Sequence, residues 1–230
     1  MAERQEVTRR GGPVELPLFP LRTVLFPGME LPLRVFEDRY RSMVRELLDS
    51  GGEFGVLLIR EGEEVGGGAI PREVGTTARI EQAEETGGGR FRLSARGVHR
   101  FRLLRMLPPR PYPCGEVAFL RDEAEPITPN LQLALESVRT MFPPYFRMAL
   151  SLTDQWAQGI ELPRDPHQLV NFLGPWLQIE EEAKQRLLEI EPAAERVAHL
   201  AELLDDLIAR TRDEVAEYRR KKFEGLGSGN

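Results

Sequence analysis

Cysteine occurs once, at Cys114, in a chain of 230 residues. That excludes an internal disulfide and a cysteine-based zinc site. Histidine is almost as scarce: His99, His167 and His199 stand far apart, without the spacing of a metal centre. No run approaches the roughly 18 uninterrupted apolar residues of a membrane span. Residues 1–12 are charged and precede no apolar segment, so no signal peptide is expected and the expected compartment is the cytoplasm. A phosphate-cradling Gly-x-x-x-x-Gly-Lys-Ser/Thr loop is also missing, and no cofactor is expected. Lysine is rare too. Only Lys184, Lys221 and Lys222 are lysines, against 28 arginines, which fits a GC-rich bacterial genome better than the Lys/Glu enrichment of hyperthermophiles.

What is present changes character near residue 122. Residues 1–120 hold 18 basic against 17 acidic residues, whereas 121–230 hold 13 against 20. An acidic back half is poorly suited to gripping a phosphate backbone. In the front half, short apolar runs alternate with Gly and Pro, the punctuation of strands and turns. Strands are predicted at 54–59, 65–70, 76–86 and 112–120, with a Gly87-Gly88-Gly89 turn. Around a further turn at Gly97, Phe91, Leu93, Phe101 and Leu103 alternate with arginines, placing apolar and basic residues on opposite faces. One helix, 38–48, is inserted among them. Behind residue 122 the period becomes helical. Thr128-Pro129 and Asp165-Pro166 are cap-plus-proline starts, Pro143-Pro144 divides two helices and a short helix spans about 180–190. A helix of about 30 residues follows Pro192, with a stripe of Val197, Leu200, Leu204, Leu207 or Ile208, Thr211, Val215 and Tyr218. The expected organisation is a tail at 1–12, a β domain at 13–122, a helical bundle at 123–224 and a tail at 225–230.

The front half also carries Leu16-Pro17-Leu18-Phe19-Pro20-Leu21-Arg22-Thr23-Val24-Leu25-Phe26-Pro27-Gly28-Met29, continuing through Leu31-Pro32-Leu33-Arg34-Val35-Phe36-Glu37-Asp38-Arg39-Tyr40. Further on come Glu53-Phe54-Gly55-Val56-Leu57-Leu58-Ile59, Gly75-Thr76-Thr77-Ala78-Arg79-Ile80 and the paired Arg90-Phe91-Arg92-Leu93 and Arg100-Phe101-Arg102-Leu103. This ordered series resembles the Lon protease N-terminal (substrate-binding) domain family over roughly residues 14–210. The resemblance implies an α+β fold: a PUA-like twisted β-barrel with one inserted helix, followed by a C-terminal helical bundle ending in a long helix. It also implies capture of unfolded or damaged polypeptides. Neither a nucleotide loop nor a Ser–Lys dyad motif accompanies it here. The expectation is therefore a stand-alone, non-enzymatic, ATP-independent binding module that presents clients to a separate protease or chaperone.

Two groups of residues are candidates for binding. Pro20, Pro27 and Gly28 prevent the segment holding Leu21, Val24, Leu25, Phe26 and Met29 from forming one regular strand. Two readings fit: a proline-braced loop that meets an apolar polypeptide, or a crossover that plugs the barrel, the commoner use of such residues. Phe26 and Met29 are the side chains expected to reach the surface. Met106 and Leu107, before Pro108-Pro109, invite the same pair of readings. Arg90, Arg92, Arg100 and Arg102 form an alternative RNA or single-stranded nucleic-acid face. Against it stand the missing aromatic platforms and the acidic neighbours Glu81, Glu84 and Glu85, which suit a solvated ion-paired face. A third reading is an adaptor that docks one folded partner through the acidic half. Self-association through the last helix, which ends in the basic run 219–222, is a further expectation. Glu63-Glu64, Glu84-Glu85 and Asp205-Asp206 point in divergent directions and do not converge on a substrate atom. Trp156 and Trp176 are expected as anchors of the helical core.

Overall fold

A computed structural model describes residues 12–108, 110–153, 155 and 159–227. The chain divides into two units, one comprising Met1–Asp122 with Ile179–Glu189 and the other Glu123–Gln178 with Ile190–Asn230. The first unit contains β1 (Val14–Leu21), β2 (Glu30–Val35), α1 (Asp38–Ser50), β3 (Glu53–Glu61), β4 (Ile70–Thr86), β5 (Arg90–Met106) and β6 (Cys114–Phe119). The second contains α2 (Pro129–Ser151), α3 (Pro166–Leu173) and a 3-10 turn at Gly174–Trp176. Next in chain order is α4 (Glu181–Glu189), followed by α5 (Ala193–Gly227). Helix α4 belongs to the β unit, a departure from the expected 123–224 bundle. No helix among the described residues is long and apolar enough to cross a membrane.

The strands form one sheet in the order β2-β5-β4-β3-β1-β6, and β5 also pairs with β6. The sheet therefore curls back on itself without making a cleanly closed barrel. Only β1 and β3 run parallel among these pairings. Among the apolar clusters that this curling encloses, two shape the sheet. The larger takes Tyr40, Met43, Val44 and Leu47 from α1 against Phe19, Val35, Phe54, Phe91 and Leu93, with Phe19 stacked on Tyr40 at 4.0 Å. The smaller holds Leu16, Leu18, Leu57, Phe101 and Val117. It closes because Gly55 has no side chain: a Cβ there would stand 2.6 Å from the Phe101 ring.

Several expected boundaries moved, for local reasons. The predicted strand at 65–70 is a loop, because Gly66, Gly67 and Gly68 all take positive φ, a conformation no regular strand accepts. The predicted turn at Gly97 is a bulge within the 17-residue β5. There Val98 and His99 oppose the single residue Thr77, whose hydroxyl accepts the His99 N–H at 3.1 Å. Pro143 and Pro144 lie inside α2 and do not divide it. Its apolar stripe of Leu131, Leu135, Val138 and Phe142 runs on into buried Tyr145 and Phe146, and that burial outweighs the two hydrogen bonds the prolines cannot donate.

In the helical unit the caps are as expected: Thr128 accepts from Leu131 N at 3.2 Å and Asp165 from Gln168 N at 2.8 Å. The Glu125 carboxylate accepts from Ala193 N at 2.6 Å and Ala194 N at 3.3 Å, satisfying free N–H groups at the start of α5. Along α5 the expected stripe of Val197, Leu200, Leu204, Leu207 and Thr211 is buried. Trp176 departs from expectation. It is 49% exposed, its ring meeting Phe146 edge-on at 5.1 Å. Trp156 and, within 219–222, the side chains of Arg219, Lys221 and Lys222 lie outside the described residues.

Burial pushes the Tyr40 phenol up from 10.0 to about 12. An acid whose folded pKa is raised contributes stability that is complete below its unfolded pKa and lost as pH climbs through the folded one. Denaturant midpoints should therefore fall between pH 10 and about 12, and Tyr40→Phe should remove Tyr40's share of that loss.

Candidate functional site

The proline-braced segment between β1 and β2 is pinned at both ends. At its start, Arg22 Nη2 donates to Gly62 O at 2.9 Å and to Glu63 Oε2 at 3.0 Å. Val24 N donates to Glu181 Oε2 at 2.6 Å, and the buried Thr76 hydroxyl donates to Leu25 O at 2.6 Å. At its end, Met29 N closes a turn on Phe26 O, Gly28 N reaches Gly97 O at 2.8 Å, and Gly97 N returns to Met29 O at 2.9 Å. Gly28 takes φ +83° in that turn. The loop can lie this close to β5 only because residue 97 is glycine: a Cβ there would sit 2.3 Å from Phe26 O.

This pinning turns the apolar side chains inward. Leu21, Val24 and Phe26 are 3%, 2% and 0% exposed, so the expectation of a surface Phe26 is corrected. Met29 is half-buried against the larger core, as is Leu107. Met106 is the one sequence-nominated apolar residue that is open to solvent, at 45%. Beside it Leu104 is 48% exposed, a residue the sequence reading missed. A second irregularity between Leu103 and Arg105 in the pairing with β6 turns it out. The signal was the adjacent pair Leu103-Leu104, which breaks the alternation.

The proposed arginine face is divided and largely neutralised. Arg92 lies 3.6 Å from Glu84 and Arg102 3.7 Å from Glu73. Arg96 grips Glu81 through two nitrogens at 2.6 and 3.1 Å, and Arg105 and Arg110 pair with Glu116 and Glu15. Arg90 stays exposed. Arg100 is the second correction: the bulge reverses its parity, and the buried guanidinium meets Asp122 Oδ1 at 2.5 Å and Leu188 O at 2.8 Å. Like charges dispersed among carboxylates do not form the continuous basic track that a nucleic acid needs.

Little else offers chemistry. Burial raises the Cys114 thiol pKa, which keeps it protonated and a poor nucleophile at neutral pH. Among the described residues no group of three or more His, Cys, Asp or Glu side chains is placed to hold a metal ion.

Comparison with known proteins decides the kinship. The family described as ATP-dependent protease La (LON) substrate-binding domain matches residues 15–206. The chain belongs to that family. A Lon N-terminal domain protein from Xanthomonas campestris is 30% identical, with a TM-score of 0.60 over 81% of this chain and 96% of that one. The N-terminal domain of a Mycobacterium avium complex Lon protease shares the fold at TM-score 0.62 and 21% identity, over 84% of this chain and 99% of that one. Among full-length relatives, the Lon protease of Anaeromyxobacter dehalogenans is 27% identical over 84% of this chain and 23% of its own length. Lon protease 2 of Myxococcus xanthus is 27% identical over 89% and 25%. The chain thus spans about a quarter of the length of the Lon proteases it matches. The family match falls on the substrate-binding domain and on no catalytic one.

Three substitutions test the architecture of this Lon-family site. Gly97→Ala should cost about 2 kcal/mol or more, because the carbonyl it would strike is main chain, seen as a lower urea midpoint. Asp122→Ala, which takes the carboxylate from a buried cation, should cost about 3 kcal/mol. Arg100→Met should cost less, since Asp122 keeps contact with water.

Proposed function

We propose that this chain binds exposed hydrophobic segments of unfolded or damaged polypeptides, without ATP and without catalysing a reaction itself. The observation that carries this reading is the match of residues 15–206 to a substrate-binding domain. The client surface is the end of β5, where Leu104 and Met106 stand exposed beside half-buried Leu107. Apolar burial is the driving force, at about 25 cal/mol per Å² before association costs. The unbranched, polarisable Met106 side chain adapts to clients of varied shape. A cytoplasmic location and hand-over to a separate protease or chaperone complete the proposal.

Titration with a fluorescently labelled, permanently unfolded, apolar-rich polypeptide should give saturable binding at micromolar concentration without nucleotide. Replacing Leu104 and Met106 together by serine should weaken it about tenfold, the equivalent of losing roughly 1.4 kcal/mol of apolar burial. Absence of saturable binding by the folded protein would overturn the reading, and an unchanged affinity in the double variant would remove β5 from it.

A further inference from the structure

The apolar side chains of the loop between β1 and β2 are buried, yet one of the clamps on that loop comes from a helix far away in sequence. Helix α4 is held to the β unit by four sets of polar contacts that differ in character along its length. At its first turn, Glu181 Oε2 accepts from Val24 N at 2.6 Å and from the Thr23 hydroxyl at 3.3 Å. Its other oxygen accepts from Lys184 Nζ at 2.9 Å. The next residue, Glu182, pairs with Arg72. The carboxylates of both glutamates remain in contact with water. Further along the contacts are dry: buried Gln185 donates to Val74 O at 2.9 Å, and fully buried Arg100 donates to Leu188 O at 2.8 Å.

Wet ion pairs and charge-assisted bonds weaken with added salt, whereas dry hydrogen bonds do not. The helix therefore has a releasable end and a fixed end. The releasable end sits on the loop whose Val24, Leu25 and Phe26 side chains are covered.

We propose that α4 is a latch. It swings on its Arg100 end, frees the Thr23 hydroxyl and the Val24 N–H, and lets the start of the loop, residues 22–24, lift for an apolar polypeptide while Thr76 and Gly97 hold the rest. This extends the polypeptide-binding reading and rests on it: Leu104 and Met106 serve the closed state, and the loop adds a second, gated surface. Binding through the latch carries an unusual sign, since a salt that weakens the Glu181 and Glu182 contacts raises the open population and tightens apolar binding. Polyanion binding would loosen instead.

The test uses the full chain, with hydrogen exchange read at the Val24 amide and polypeptide affinity measured from about 0.05 to about 0.5 M NaCl. Glu181→Ala should speed Val24 exchange about tenfold or more, the cost of one charge-assisted hydrogen bond, while β3 amides keep their protection. Affinity for the unfolded polypeptide should rise several-fold and lose most of its salt response. Glu181→Gln retains an acceptor oxygen without the charge, so it keeps the fold intact and should fall between the two. Unchanged Val24 exchange in both variants would overturn the latch. Faster exchange with wild-type affinity and salt response would overturn the gating. Faster exchange with no polypeptide binding by any of the three proteins would overturn the functional reading itself, and the gating with it.

Discussion

A guanidinium removed from water must find its acceptors inside the protein, and the β unit is arranged around one that does. Arg100 sits just past the bulge at Val98 and His99, which sets it on the face of β5 that carries Leu93 and Ala95. Its partners are Asp122, the last residue before the chain leaves the β unit, and the carbonyl of Leu188, near the end of the helix with which the chain returns. One side chain thus joins a strand irregularity, the exit of the chain and its re-entry. Each depends on the others: without the bulge Arg100 would lie on the face of β5 that Phe101 takes, and without α4 one of its acceptors would be missing.

The same bulge governs the loop. Gly97 begins the irregularity and is also where the loop crosses β5 at a separation that leaves no room for a Cβ. Its N–H and C=O both serve the loop backbone. The apolar side chains of the segment are therefore buried through main-chain geometry as much as through their own hydrophobicity. Leu21, Val24 and Phe26 are apolar enough to bind a client, but the loop is tied to the sheet by atoms that every residue carries.

Sequence periodicity revealed what depends on neighbours in the chain. The strand at Glu53–Glu61, helix α1, the two capped helix starts and the α5 stripe were all legible, because each is determined by residues within a few positions. Boundaries set by tertiary contact were not. Pro143-Pro144 reads as a break until the buried stripe on both sides is known, and 65–70 reads as a strand until three successive glycines adopt positive φ. Parity counting failed at Arg100 because a bulge inserts one residue without any mark in the alternation. The contact of Glu181 with Val24 spans 157 positions and joins a carboxylate to a backbone amide, so no pattern of residue types announces it. For the same reason α4 reads as part of the helical half: its amphipathic sequence shows that one face is buried but not against what.

Charge placement then decides which forces remain for recognition. Most arginines of β4 and β5 are matched to a carboxylate on a neighbouring strand or helix, so the sheet surface presents alternating signs and little net field. Such a surface steers neither polyanions nor polycations over distance. It also keeps the exposed apolar residues apart from one another's copies by surrounding them with hydrated groups. A surface of this kind discriminates little by charge. What remains is contact with apolar side chains, which is non-directional and tolerant of sequence, the property a domain that captures unfolded polypeptides requires. The ion pairs on α4 are the exception, since they act on the molecule's own loop. There the cost of holding the Glu181 carboxylate in place is met by giving an acceptor to the Val24 N–H, beside a side chain that is itself buried.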